Sequence, residues 1–174
     1  MSTRGLFGLR YNNTDKLSYS GSDSYPSYLG SRVIGTIKLL ADNELVTMYN
    51  LMQDADEEDA DWDFSHWKVL TKDNKPIPYY HDNKFIRDSL YCEYAYIINL
   101  DNNTLEFYIG FQEKPQKGNR YGEEVTYVGS STGTKYYPCK LVKVFTLDEV
   151  RTTSEDDLLD VMRSTKEEDR NDNN

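Results

Sequence analysis

At 174 residues, with 37% apolar and 29% charged side chains, the chain fits one domain long enough to bury a core. Its formal charge of −10 excludes the basic footprint that non-specific nucleic-acid binding needs, and suits a basic partner surface or simple solubility. Fifteen tyrosines and six phenylalanines exclude disorder through the middle.

No apolar run reaches the length of a signal-peptide core or a membrane span, so no membrane association is expected. Two cysteines, Cys92 and Cys139, make no disulfide framework and are expected as buried free thiols. Both readings place the protein in the cytoplasm.

Taken in chain order, residues 3–12 and 15–20 predict a hairpin that turns at Asn12-Asn13, because asparagine tolerates positive φ. Residues 23–30 then crowd a carboxylate, hydroxyls and two tyrosine rings around Pro26. Past Gly30 the period changes. Val33, Ile37, Leu40 and Ala41 form a helical stripe, and Asp42-Asn43 interrupts it and caps a second helix with Leu45, Met48, Tyr49 and Met52 inward. Residues 54–63 carry seven acidic side chains in ten, a self-repelling run expected as an exposed loop. As a calcium loop it fails, since Asp59 stands where an EF-hand turn needs glycine.

The clearest strand pair follows. Cys92, Tyr94, Tyr96, Ile98 and Leu100 alternate with Glu93, Ala95, Ile97 and Asn99, and after a turn at 101–104 Leu105, Phe107 and Ile109 return along the apolar face. Residues 112–122 read as a polar loop. Residues 125–128 and 141–145 read as strands joined by the Gly129–Gly133 segment, which lacks the lysine-serine ending and helix start of a phosphate loop. Ser154 with Asp157 resembles a capping box, and Leu158, Val161 and Met162 give the helix behind it an apolar stripe. Beyond Thr165 no apolar residue remains. The prediction is an α+β fold: an antiparallel sheet of hairpins with two or three helices packed on one face. Its domain spans 1–150, with a C-terminal helix over 151–165 and a disordered acidic tail over 166–174.

Three places could carry chemistry. Removal of the initiator methionine would leave Ser2 with a free α-amine, the arrangement of amino-terminal-nucleophile amidohydrolases, in which the amine is the base for the terminal hydroxyl. The ordinary alternative is a processed terminus. The second is Arg4 with Asp23, Ser24, Tyr25 and Tyr28, where Asp23 could orient Arg4 or Arg10 and the phenols could hold a small polar ligand. Against it, Pro26 opening a helix and half-buried tyrosines are normal structural devices. The third is Asp56, Glu57, Glu58, Asp59 and Asp61, a face for a protein partner with a basic surface. His66 and His81 have no cysteine or second histidine at ligand spacing. No metal or cofactor is expected.

The opening Thr3-Arg4-Gly5, the strand after it, and Asp23-Ser24-Tyr25-Pro26 with Gly30 resemble a group of small uncharacterised proteins of tailed bacteriophages and prophages, over residues 1–35. Where that group carries an aromatic residue or a histidine two positions before the Asp-x-Tyr-Pro element, Gly21 stands here, so no catalytic histidine is carried over. The resemblance implies a phage origin and a site of action in the host cytoplasm. Joined to the acidic loop and the 23–30 cluster, it leads to the expectation of a non-enzymatic accessory protein that binds a host macromolecule, such as a host protein with a basic surface, or a small ligand. Such a protein would counter host defence or redirect host metabolism. The Ser2 amidohydrolase is the alternative. The tyrosine-rich strands could also pair across a dimer.

Overall fold

The computed structural model describes residues 2–61 and 64–172; Asp63 of the acidic run and the last two residues of the expected tail lie outside the described residues. The chain opens with β1 (Gly5–Tyr11) and β2 (Thr14–Ser20), turned by Asn12 and Asn13 at φ 50° and 59° as the sequence predicts. The Pro26–Gly30 turn leads into α1 (Ser31–Leu39), α2 (Asp42–Leu51), β3 (Met52–Ala55), α3 (Phe64–Lys72) and β4 (Ile77–Tyr80). Next come β5 (Tyr94–Asn99), β6 (Thr104–Ile109), β7 (Tyr127–Val128), β8 (Lys135–Tyr136) and β9 (Lys140–Thr146). Helices α4 (Leu147–Thr152) and α5 (Glu155–Asp172) close the fold.

The main sheet runs β2-β1-β5-β6-β9. The α+β reading holds, but the sheet is mixed rather than purely antiparallel, because β1 and β5 are parallel. The edge beyond β2 is occupied by another segment. Ser18 bridges His81, the Asp82 N–H reaches Leu17 O at 3.0 Å, and Asn83 Oδ1 accepts the Leu17 N–H at 3.0 Å. With that edge covered, β5 pairs on the free side of β1, and it enters from the end at which Gly5 starts.

Both faces of the sheet are buried. One carries Phe7, Leu9, Tyr94, Tyr96, Ile98, Leu105 and Phe107 against side chains from all five described helices, so the helices do gather on one face, but there are five of them where the sequence predicted two or three. Arg151 holds α1 there by donating to Ile37 O and Leu40 O, which satisfies carbonyls that a helix end leaves open. Lys16 does the same for α2 through Tyr49 O and Met52 O. The cap of α2 differs from expectation: Ala41 takes the cap position, and the Glu44 carboxylate accepts its N–H at 3.0 Å.

The opposite face packs Leu6, Leu17, Ala95, Ile97 and Tyr108 under Ile86, Tyr121 and Cys139. Cys92 belongs to this second core, not with Tyr94, since it precedes the strand and leaves its alternation. Both thiols are buried and free. The 129–133 segment joins β7 to β8 rather than to β9.

A polar chain crosses the second face. Arg10 pairs with Asp15 at 2.9 Å, Tyr121 donates to Asp15, Arg120 donates to the Tyr121 hydroxyl, and the Arg120 fork grips Glu106 at 2.6 and 2.9 Å. Tyr108 and Asn99 complete the Glu106 shell. Burial, with Asp15 for Tyr121 and Glu106 for Tyr108, pushes both phenols well above the ordinary value, so they act as donors here.

Helix α5 also corrects the expected tail. The helix continues through 166–172 because Asp169 turns inward, 6% exposed, where Lys140 and Gln112 hold its two oxygens at 2.7 and 3.1 Å. Ser154 caps the start by accepting the Asp157 N–H at 3.2 Å.

Arg120→Ala, which strands a buried Glu106, is expected to lower the unfolding free energy by about 2–3 kcal/mol in urea titrations. The Arg120→Ala, Glu106→Gln double variant should lose less than the two single losses added together. Strict additivity would show that the fork contributes nothing.

Candidate functional site

The 20–32 segment is shaped by three backbone constraints. Asp23 takes φ +52°, a left-handed conformation that aspartate tolerates better than most residues, and this bends the chain off β2. The Ser24 N–H then bonds Thr3 O at 3.2 Å. Pro26–Gly30 forms a wide helical turn in which the Gly30 N–H reaches back to Tyr25 O at 3.3 Å. Gly30 is required there for close approach: a Cβ would stand 2.9 Å from the Tyr96 ring. The Tyr96 hydroxyl, buried in the sheet, donates to Ser24 O at 2.9 Å.

These constraints leave a cavity of about 260 Å³. Phe7 and Leu29 form its apolar floor, and Ser20, Ser22, Asp23, Tyr28, Arg32 and Glu57 supply its polar rim. Arg32 lies one helical turn past Tyr28. Its guanidinium sits 4.7 Å from the Tyr28 ring centre, and Nη2 donates to the Tyr28 hydroxyl at 3.1 Å. Glu57 enters from the acidic loop, so two regions far apart in sequence share one cavity.

Of the residues expected at a ligand site, Asp23 and Tyr28 line this cavity and the others do not. Ser24 is fully buried as a pin beneath the sheet end, and its Oγ has no hydrogen-bond partner among the described residues. Tyr25 is half exposed and stands 6.3 Å from the Tyr94 ring. Arg4 lies over Tyr91, 4.9 Å from its ring centre, and Arg10 is taken by Asp15. Ser2 is exposed ahead of the buried Thr3 and does not line the cavity.

In the acidic run, Asp56, Glu57, Glu58 and Asp59 are exposed. Asp61 is anchored: its N–H reaches Pro78 O at 2.9 Å, its carbonyl accepts the Trp67 indole at 3.0 Å, and His66 lies 3.4 Å from its carboxylate. Asp54 sits in β3 and faces His81 at 3.1 Å. Among the described residues, no group of three His, Cys, Asp or Glu side chains is placed to hold a metal ion. No described helix is long and apolar enough to cross a membrane.

Sequence reading did not single out Arg32, and it set Glu57 on a partner-binding face rather than in this cavity. The first had a signal, since a cation four residues after a tyrosine on a helix meets its ring. The second had none, because the approach of the acidic loop is a tertiary event. Compared with protein-family models, curated proteins and solved structures, the chain gives no match in any of the three.

Tyr96→Phe removes the donor to Ser24 O and should lower the unfolding free energy from urea titration by about 1–2 kcal/mol. Ser24→Ala, which deletes an unpaired hydroxyl, should be neutral or stabilising. The reverse order of effects would place the pin elsewhere.

Proposed function

We propose that the protein binds a small zwitterion, a free amino acid or a compound of that size, in the cavity between the 20–32 segment and the acidic loop. One observation carries this reading: a guanidinium set over a tyrosine ring shares one cavity with carboxylates from two separate parts of the chain and with the apolar side chains of Phe7 and Leu29. A guanidinium has more N–H donors than the one used on Tyr28, and its fork matches a ligand carboxylate. Asp23 and Glu57 would take the ligand's ammonium group, and Phe7 and Leu29 its aliphatic part. The size of the cavity, about 260 Å³, falls below the range of drug-sized ligands and suits so small a molecule.

The phage resemblance of residues 1–35 fits an accessory protein that withdraws such a molecule from the host or responds to it. The exposed Asp56, Glu58 and Asp59 beside the cavity would then offer a face to a basic host protein. Bound ligand at Glu57 would alter the charge of that same face, which joins the two expectations in one device.

Free amino acids screened by thermal shift and amide NMR test the proposal. At least one should raise the melting temperature and shift the signals of Gly21, Asp23, Arg32 and Glu57. Arg32→Gln and Glu57→Gln should each weaken that binding by about tenfold. Absence of any stabilising amino acid, or shifts confined to another region, would overturn it.

A further inference from the structure

We propose that a second cavity, between the start of β5, the end of β6 and the last turns of α5, is a binding site in which Lys166 takes a small anionic carbonyl compound as an imine. The cavity measures about 440 Å³, within the range of small-molecule sites, and its walls include Glu93, Phe111, Glu113, Lys166 and Arg170.

The helix supplies the two cations together. Lys166 and Arg170 are four residues apart on α5 and so share one side of it. Their position is fixed by Asp169, whose carboxylate is tied to Lys140 and Gln112 in the fold below. The Lys166 ammonium stands 4.4 Å from the centre of the Tyr94 ring and donates to its hydroxyl. Burial first, and the neighbouring Arg170 second, lower the pKa of Lys166, with Glu93 opposing. The neutral amine, which is the nucleophilic form, is therefore more populated than on an exposed lysine. Burial pushes Tyr94 up to about 12, so its hydroxyl stays protonated and uncharged while it accepts from Lys166.

The wall opposite has its own irregularity. Phe111 adopts φ +56° with half its side chain exposed, a costly conformation for an aromatic residue, held by its N–H to Ser89 O at 2.6 Å. Gly110 before it cannot take a side chain, since a Cβ would fall 2.1 Å from Cys92 O. The strain presents an aromatic ring to the cavity.

Each part of the ligand follows from these groups: a flat or apolar body for Phe111, an anionic group for the Arg170 fork, and an aldehyde or ketone for Lys166. Asp169 also lines the cavity, with its oxygens met by Lys140 and Gln112; the carboxylates of Glu93 and Glu113 disfavour a polyanion, so a monoanion is the match. In the step, the lysine nitrogen, after losing a proton to water, attacks the carbonyl carbon. The carbonyl oxygen leaves as water after gaining protons. Ammonium plus carbonyl thus gives protonated imine plus water, with one positive charge on each side and no redox partner.

The test uses para-carboxybenzaldehyde with cyanoborohydride to trap the imine, followed by intact mass and peptide mapping, with benzaldehyde as the neutral comparison. One adduct per chain on Lys166 is expected, at a probe concentration about tenfold below that needed with benzaldehyde. Lys166→Arg should abolish that adduct with an unchanged circular dichroism spectrum, and Arg170→Gln should erase the preference for the carboxylated probe. Label spread over the exposed lysines, or equal labelling by the two aldehydes, would overturn the proposal.

Discussion

A phenol in the middle of a sheet must find a partner for its hydroxyl, and the way Tyr96 does so shapes one end of this molecule. Its ring is sealed under Gly30, and its hydroxyl reaches Ser24 O. Burial raises its pKa well above the ordinary value, so it remains a donor. One bond therefore ties the chain that leaves β2 to the central strand β5. The wide turn at Pro26–Gly30 then sets where α1 begins, and so where Arg32 points. Beside this bond, the Ser24–Thr3 backbone link and the packing of Leu29 and Tyr25 hold the segment.

The two faces of the sheet are stabilised by different means. The helix face is apolar and packs through shape, with Tyr94 and Tyr96 stacked on Phe107. The other face is covered mainly by irregular segments, and these are fixed by charge. Arg120 and Tyr121 hang from Glu106 and Asp15, so the 119–121 stretch is anchored to both β2 and β6. A buried carboxylate is costly unless each of its oxygens is met, and here both oxygens of Glu106 are. This explains how a chain of modest apolar content covers a sheet on both sides.

Local signals carried much of the fold. The Asn12-Asn13 hairpin, the stripes of α1 and α2, the β5–β6 hairpin and the Ser154 cap are set by residues within a few positions of one another, and all are legible. The parallel β1–β5 pair is not, because it joins strands far apart in sequence. The extension of α5 hides for a related reason: Lys-Glu-Glu-Asp-Arg has no apolar stripe, and its anchor is a carboxylate that meets Lys140 on another strand. For the site, the crowding at 23–30 pointed to the right segment. The local pattern could not show that Ser24 is a structural pin, that Tyr25 faces Tyr94, or that Glu57 arrives from the acidic loop.

Native-state amide exchange across residues 20–32 tests the role of the Tyr96 bond most directly. If the segment is pinned through Tyr96, the Ser24 and Gly30 amides should exchange nearly as slowly as those of β1 and β5, and Tyr96→Phe should release these two amides while leaving the strands protected. Ser24 and Gly30 exchanging in the wild-type protein at the rate of an exposed loop would contradict it.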